Sequence, residues 1–95
     1  MTMVERPRLI GREPGRWGEV KGINAERRRV AIITDWGYAV ATLRAGVLRV
    51  GDPVLGEVES MGVTTLRNLR TREPVTLEIT HVQVTMVLAA TLLES

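Results

Sequence analysis

The sequence contains no cysteine. Disulfides, thiolate nucleophiles and cysteine-ligated zinc are therefore excluded. Phenylalanine is also absent, and Trp17, Trp36 and Tyr38 are the only aromatic residues, so the core must be built from aliphatic side chains. His81 is the single histidine. A lone imidazole does not make a metal centre, and the sequence places no nucleophile or orienting carboxylate beside it. Long hydrophobic runs are missing. The most apolar stretch, Val84 to Leu93, is about half of the ~20 residues that a helix needs to cross a bilayer. The nine glycines are dispersed and match neither a Walker nor a dinucleotide-binding pattern, so no cofactor is expected. A strong charge of one sign is lacking too, because a net +2 makes only a weak field.

The cations are twelve arginines against one lysine, Lys21. A GC-rich coding bias accounts for that ratio, as does selection for bidentate phosphate contacts. Residues Met1 to Arg8 carry charges and Pro7 but no apolar core, which is not a signal-peptide pattern. A soluble cytoplasmic protein is the expectation. Residues 1–14 hold Pro7, Gly11 and Pro14 among Arg and Glu, and read as a flexible or edge N-terminal arm. A short strand through Leu9 and Ile10 is the one element they suggest. Residues 15–95 form one small domain with a limited core, since a chain of this length buries only ~60–65% of its unfolded surface.

What is present is β-branched residues in short runs between turn residues. Trp17 to Ile23 reads as a first strand, with Gly18 or Gly22 marking a bulge because Trp17, Val20 and Ile23 do not alternate. Arg28 to Asp35 is a second strand. Both of its faces are apolar, which makes it central. Asp35-Trp36-Gly37 is a hairpin turn leading into a third strand, Tyr38 to Leu43. Arg44 to Pro53 is a crossing from which Val47, Leu48 and Val50 tuck into the barrel mouth. Val54 to Ser60 and Val63 to Asn68 are the fourth and fifth strands, with Gly56 at a tight bend. Val75, Leu77 and Ile79 alternate with Thr76, Glu78 and Thr80 in the sixth, and a phase shift near His81 requires a bulge. The chain end reads two ways: strand to about Val87 followed by a helical turn, or a helix capped by Thr80-x-x-Gln83. The whole is an all-β chain, a partly open barrel of five to six strands of the OB or SH3-like type.

Gly18-x-Val20-Lys21-x-x-Asn24 resembles the opening strand and turn of a cold-shock domain. Leu48-x-x-Gly51-Asp52-x-Val54-x-x-Glu57-Val58-Glu59 resembles the approach to that family's fourth strand. Together they cover about half of the chain. The resemblance implies an OB-type barrel whose second and third strands carry rings that stack on bases. This sequence departs from the pattern there: the second strand has no aromatic, the third keeps only Tyr38, and Gly22 stands where a ring follows the lysine. Base stacking is worth ~1–3 kcal/mol per base, so most of that affinity is lost.

The candidate nucleic-acid contacts are Lys21, Arg27, Arg28, Arg29 and Arg44 for phosphate, with Trp36 and Tyr38 for stacking. The blander reading is a solvated turn, neutralised by Glu19 and Glu26, with the rings covering a barrel end. Arg67, Arg70 and Arg72 form a second basic group near the fifth strand. Asp35 and Asp52 stabilise turns. Glu57 and Glu59 share a strand face but have no pocket around them. Two functions follow, neither enzymatic. One is a weak, salt-sensitive binder of single-stranded RNA or DNA. The other is a protein-interaction or regulatory module that self-associates as a homodimer through its C-terminal apolar strand.

Overall fold

A computed structural model describes residues 16–95. The expected arm, residues 1–14, and its strand at Leu9-Ile10 lie outside the described residues. Six antiparallel strands close into a barrel in the order β1-β2-β3-β6-β5-β4, and one helix follows them. The strands are β1 (Trp17–Asn24), β2 (Arg29–Thr34), β3 (Gly37–Ala45), β4 (Pro53–Leu55), β5 (Gly62–Asn68) and β6 (Pro74–Val84). The helix is α1 (Met86–Glu94). The small all-β barrel read from the sequence is thus the fold, and its ring is closed rather than partly open.

Alternation along the strands decides what fills it. Val30 and Ile32 of β2, Ala39 and Ala41 of β3, and Val75, Leu77 and Ile79 of β6 all point inward and are buried together. No aromatic ring belongs to this core. The other face of β2 is also covered, because Ala31 is buried against Val40 and Ala89. That double burial is why the strand reads as apolar on both faces. In β1 the register slips between Val20 and Gly22, which leaves Lys21 as the extra residue of a bulge. In β6, Val40 pairs with His81 but Ala41 with Ile79, so the extra residue is Thr80. The Thr80 hydroxyl donates to the Val40 carbonyl at 3.1 Å and lies 2.9 Å from His81 Nδ1. His81 Nδ1–H is then the donor in that second contact, and the histidine is part of a bulge.

Three expectations are corrected. The fourth strand ends at Leu55, not Ser60, because Gly56 turns the chain with φ +146. A Cβ at Gly56 would come 2.5 Å from Leu66 Cδ2, so only glycine lets the corner close. Of the crossing residues only Leu48 enters the core, while Val47 and Val50 stay 64% and 63% exposed. The backbone of this crossing is already engaged: Gly51 N–H donates to the Val20 carbonyl at 2.8 Å, and Val20 N–H to the Asp52 carbonyl at 2.9 Å. Finally, β6 stops at Val84, and the helix cap is Thr85 rather than Thr80. Gln83 turns the chain with φ +57, and Thr85 Oγ1 accepts from Leu88 N at 3.1 Å. That hydroxyl satisfies one of the free amides of the first turn and lets the helix start despite Val84 and Val87.

A buried polar knot ties the crossing to β5. The Asp52 carboxylate is 2% exposed. It accepts from Arg49 N at 2.8 Å, Asn68 Nδ2 at 2.8 Å, and Arg70 Nε at 2.5 Å. The Arg70 side-chain hydrogen bond, helped by those of Arg49 and Asn68, holds the Asp52 carboxyl below its ordinary range despite burial.

Candidate functional site

Of the residues singled out in the sequence, the arginines and Trp36 fall at opposite ends of the β2–β3 hairpin, while Lys21, on β1 opposite the middle of β2, lines one groove with Tyr38. Two hydrogen bonds between Arg28 and Leu43 close the arginine end: Leu43 N donates to the Arg28 carbonyl at 2.7 Å, and Arg28 Nε donates to the Leu43 carbonyl at 2.9 Å. Arg44 follows Leu43, and Arg29 pairs with Thr42, so Arg27, Arg28, Arg29 and Arg44 share this end. Trp36 sits in the turn at the other end, separated from them by the six residues of β2. At ~3.3 Å per residue the gap is roughly 20 Å. The cations and the exposed indole do not converge.

Several of these side chains have structural partners. Arg29 donates to the Leu92 carbonyl at 3.0 Å and Asn24 Nδ2 to the Leu93 carbonyl at 3.0 Å. Both reach carbonyls in the last turn of α1, and that of Leu92 accepts as well from the C-cap residue, from Ser95 N at 3.3 Å and Ser95 Oγ at 2.9 Å. Arg44 is ion-paired with Glu78, and Lys21 with Glu19 at 3.1 Å. Arg27 offers its backbone N–H to Asn24 Oδ1 at 3.3 Å within the β1–β2 turn. In the second basic group, Arg70 holds Asp52 and Arg67 donates to the Arg72 carbonyl at 3.0 Å. Asp52 does more than stabilise its own turn, since two of its donors come from beyond β5's start.

The outer face of β1–β3 is occupied by α1. Ala31, Val40 and Ala89 are buried together there, with Tyr38, Val84, Leu92 and Leu93 packed around them. Small residues permit the approach: a Cβ at Gly22 would stand 2.9 Å from Leu93 Cδ2. Gly22 is the position at which the sequence pattern raises the expectation of a ring. Here Leu93 fills that space. Tyr38 lies half-buried beside the helix, and Trp17 half-buried at the start of β1 opposite Leu55.

Much of α1 stays open to solvent, including Met86 on the rim of its contact with the sheet. From Met86 to Leu93 the helix carries no charged residue, yet Met86 is 65% and Val87 73% exposed, and Leu88 is exposed as well. Tyr38 pairs with Val84, and the Gly37 backbone lies against Gln83 and Val84. The hairpin tip that bears Trp36, itself 54% exposed, therefore adjoins the start of the helix. Sequence reasoning missed the helix as a cover for β1–β3, although Gly22, Ala31, Ala89 and Ala90 were the signal: small residues on two elements let their backbones approach. Between α1 and the sheet a groove of about 280 Å3 remains.

Among the described residues no group of three or more His, Asp or Glu side chains is placed to hold a metal ion. No described helix is long and apolar enough to cross a membrane. Comparison with protein-family models, with curated proteins and with solved structures finds no match to this chain.

Proposed function

We propose that the chain is a non-enzymatic protein-interaction module that docks, through the outer face of α1 and the adjoining hairpin tip, onto a second copy of itself. The observation that carries this reading is the uncharged run Met86 to Leu93 of the helix, with Met86, Val87 and Leu88 turned to solvent. A helix that is apolar all round normally ends buried, and exposed apolar patches mark interaction sites. A two-fold contact sets identical surfaces against each other. On a protein of net charge +2 the uncharged helix face is where that juxtaposition meets no like-charge repulsion. The nine-residue helix is only ~14 Å long. Its face falls short of the ~800 Å2 per partner of a standard interface, so the association is weak and depends on concentration.

The test is a dilution series followed by amide shifts, with short single-stranded RNA and DNA titrated in parallel at low and near-physiological salt. The reading requires concentration-dependent shifts at Trp36 and Met86 to Thr91, and none with oligonucleotide. Salt-sensitive oligonucleotide shifts at Lys21, Arg27 to Arg29 and Arg44, with no effect of dilution, would replace it by phosphate binding at the arginine end.

A further inference from the structure

We infer that the groove between α1 and β1–β3 is a binding site for a small monocarboxylate with an apolar body. The groove holds about 280 Å3 and opens to solvent, just below the ~300–1,000 Å3 typical of small-molecule sites, which suits a small ligand. Its walls are Ala31, Met86, Ala90 and Leu93, and the two polar side chains that line it are Lys21 and Tyr38. An aliphatic slot lined by a few polar side chains is the usual form of a site for an amphipathic ligand.

The two polar groups have unused hydrogen-bonding capacity. Lys21 is the only lysine in the chain. As the bulge residue of β1 it lacks a partner in the β1–β2 register. Its ammonium has three donors, of which one goes to Glu19 Oε2 at 3.1 Å. The hydroxyl of Tyr38 makes no hydrogen bond to any described residue. An anion with two oxygens suits both, one oxygen for the ammonium and one for the phenol, while its hydrocarbon lies along Ala31, Ala90 and Leu93. Glu19 does not line the groove. It competes for the ammonium from the rim, which keeps the affinity modest. An alkylammonium ligand is disfavoured, since Lys21 is the charged residue among those that line the groove.

The site goes beyond the self-association reading and is tested separately, at a protein concentration where dilution no longer changes the spectrum. Octanoate is titrated into the full chain while amide shifts are recorded, with octanol as the uncharged homologue. Octanoate is expected to shift Gly22, Ala31, Tyr38 and Ala90, and to bind more tightly than octanol. Lys21→Gln and Tyr38→Phe should each weaken octanoate by roughly two- to fivefold, the range for partly exposed polar and ionic contacts, and weaken octanol less, because its hydroxyl carries no charge. Glu19→Gln frees the ammonium and should strengthen octanoate by a similar factor. Core signals from Ile32 and Leu77 report whether each variant keeps its fold. Equal binding of octanol and octanoate, octanoate shifts confined to Arg27 and Arg28, or no shifts at all would each overturn the assignment.

Discussion

Replacing Asp52 by asparagine changes almost no volume and tests the polar knot atom by atom. All the groups that reach the carboxylate are donors: Arg49 N–H and Asn68 Nδ2 at Oδ2, Arg70 Nε at Oδ1, and the second Arg70 nitrogen at Oδ2 at 3.2 Å. A carboxylate accepts from all of them, whereas an amide has one acceptor oxygen and a donating NH2. With the amide oxygen placed toward Arg49 and Asn68, its NH2 must face Arg70 Nε. At least one charge-assisted bond is lost, worth ~1.5–3 kcal/mol, and a donor is left facing a donor. The Arg70 side chain is 39% exposed, so solvent offsets part of the loss. A net cost of about 2–3 kcal/mol at neutral pH results, or roughly 10–20 °C in Tm for a domain this small.

The cost depends on pH with a definite sign. The folded-state pKa of Asp52 lies below the 3.8 of an ordinary aspartate. Stability from a carboxyl with a depressed pKa is fully present above the unfolded value and is lost as pH falls through the folded one. Denaturant unfolding of both proteins should therefore show the full difference above about pH 5 and a narrowing difference below about pH 3. A difference under about 0.5 kcal/mol at pH 7, or one that stays constant down to pH 2, would refute the reasoning, because neither is compatible with an ionised, multiply bonded Asp52.

Two further substitutions probe the helix from the sheet side. Gly22→Phe drives a ring into the place of Leu93, so amide protection over Met86 to Glu94 should collapse in hydrogen exchange while β6 stays protected; retained helix protection would contradict the close approach. Arg29→Ala removes one of three donors to the Leu92 carbonyl and leaves the two of Ser95, so exchange at the end of α1 should quicken by a factor matching ~0.5–1 kcal/mol. An unchanged rate there would show that the guanidinium does not cap the helix. In the core, Leu77→Ala leaves a cavity inside the closed ring and should cost ~2–5 kcal/mol by denaturant melts, with a loss below 1 kcal/mol contradicting its place there.

The barrel was legible because strand signals are local. Val30 and Ile32 alternate, Gly37 and Gly56 mark turns, and the phase break at His81 announces the Thr80 bulge. The closed ring and the short β4 were not legible, since they depend on Leu55 meeting Trp17 and Arg67 across the sheet. Long-range pairing leaves no periodic trace in either strand alone. Asp52 and Asn68 illustrate the same limit: sixteen residues apart, each looks like an ordinary turn or strand-end residue. At the chain end, Val82, Val84 and Val87 favour strand by propensity, yet the Gln83 turn and the docking of Ala89 on Ala31 override it. Among the candidate site residues, Arg29 and Arg70 show why charge runs mislead. Each is spent on one internal partner that sequence cannot place beside it.

Sedimentation velocity over a wide concentration range, comparing the unaltered chain with Val87→Glu, tests the docking surface most directly. Val87 is 73% exposed, so the substitution spares the fold while setting two like charges across any two-fold contact at the helix. The account predicts that the unaltered chain gains sedimentation coefficient as concentration rises and that the variant remains monomeric throughout. A chain that stays monomeric at every concentration, or a variant that associates equally well, would contradict it.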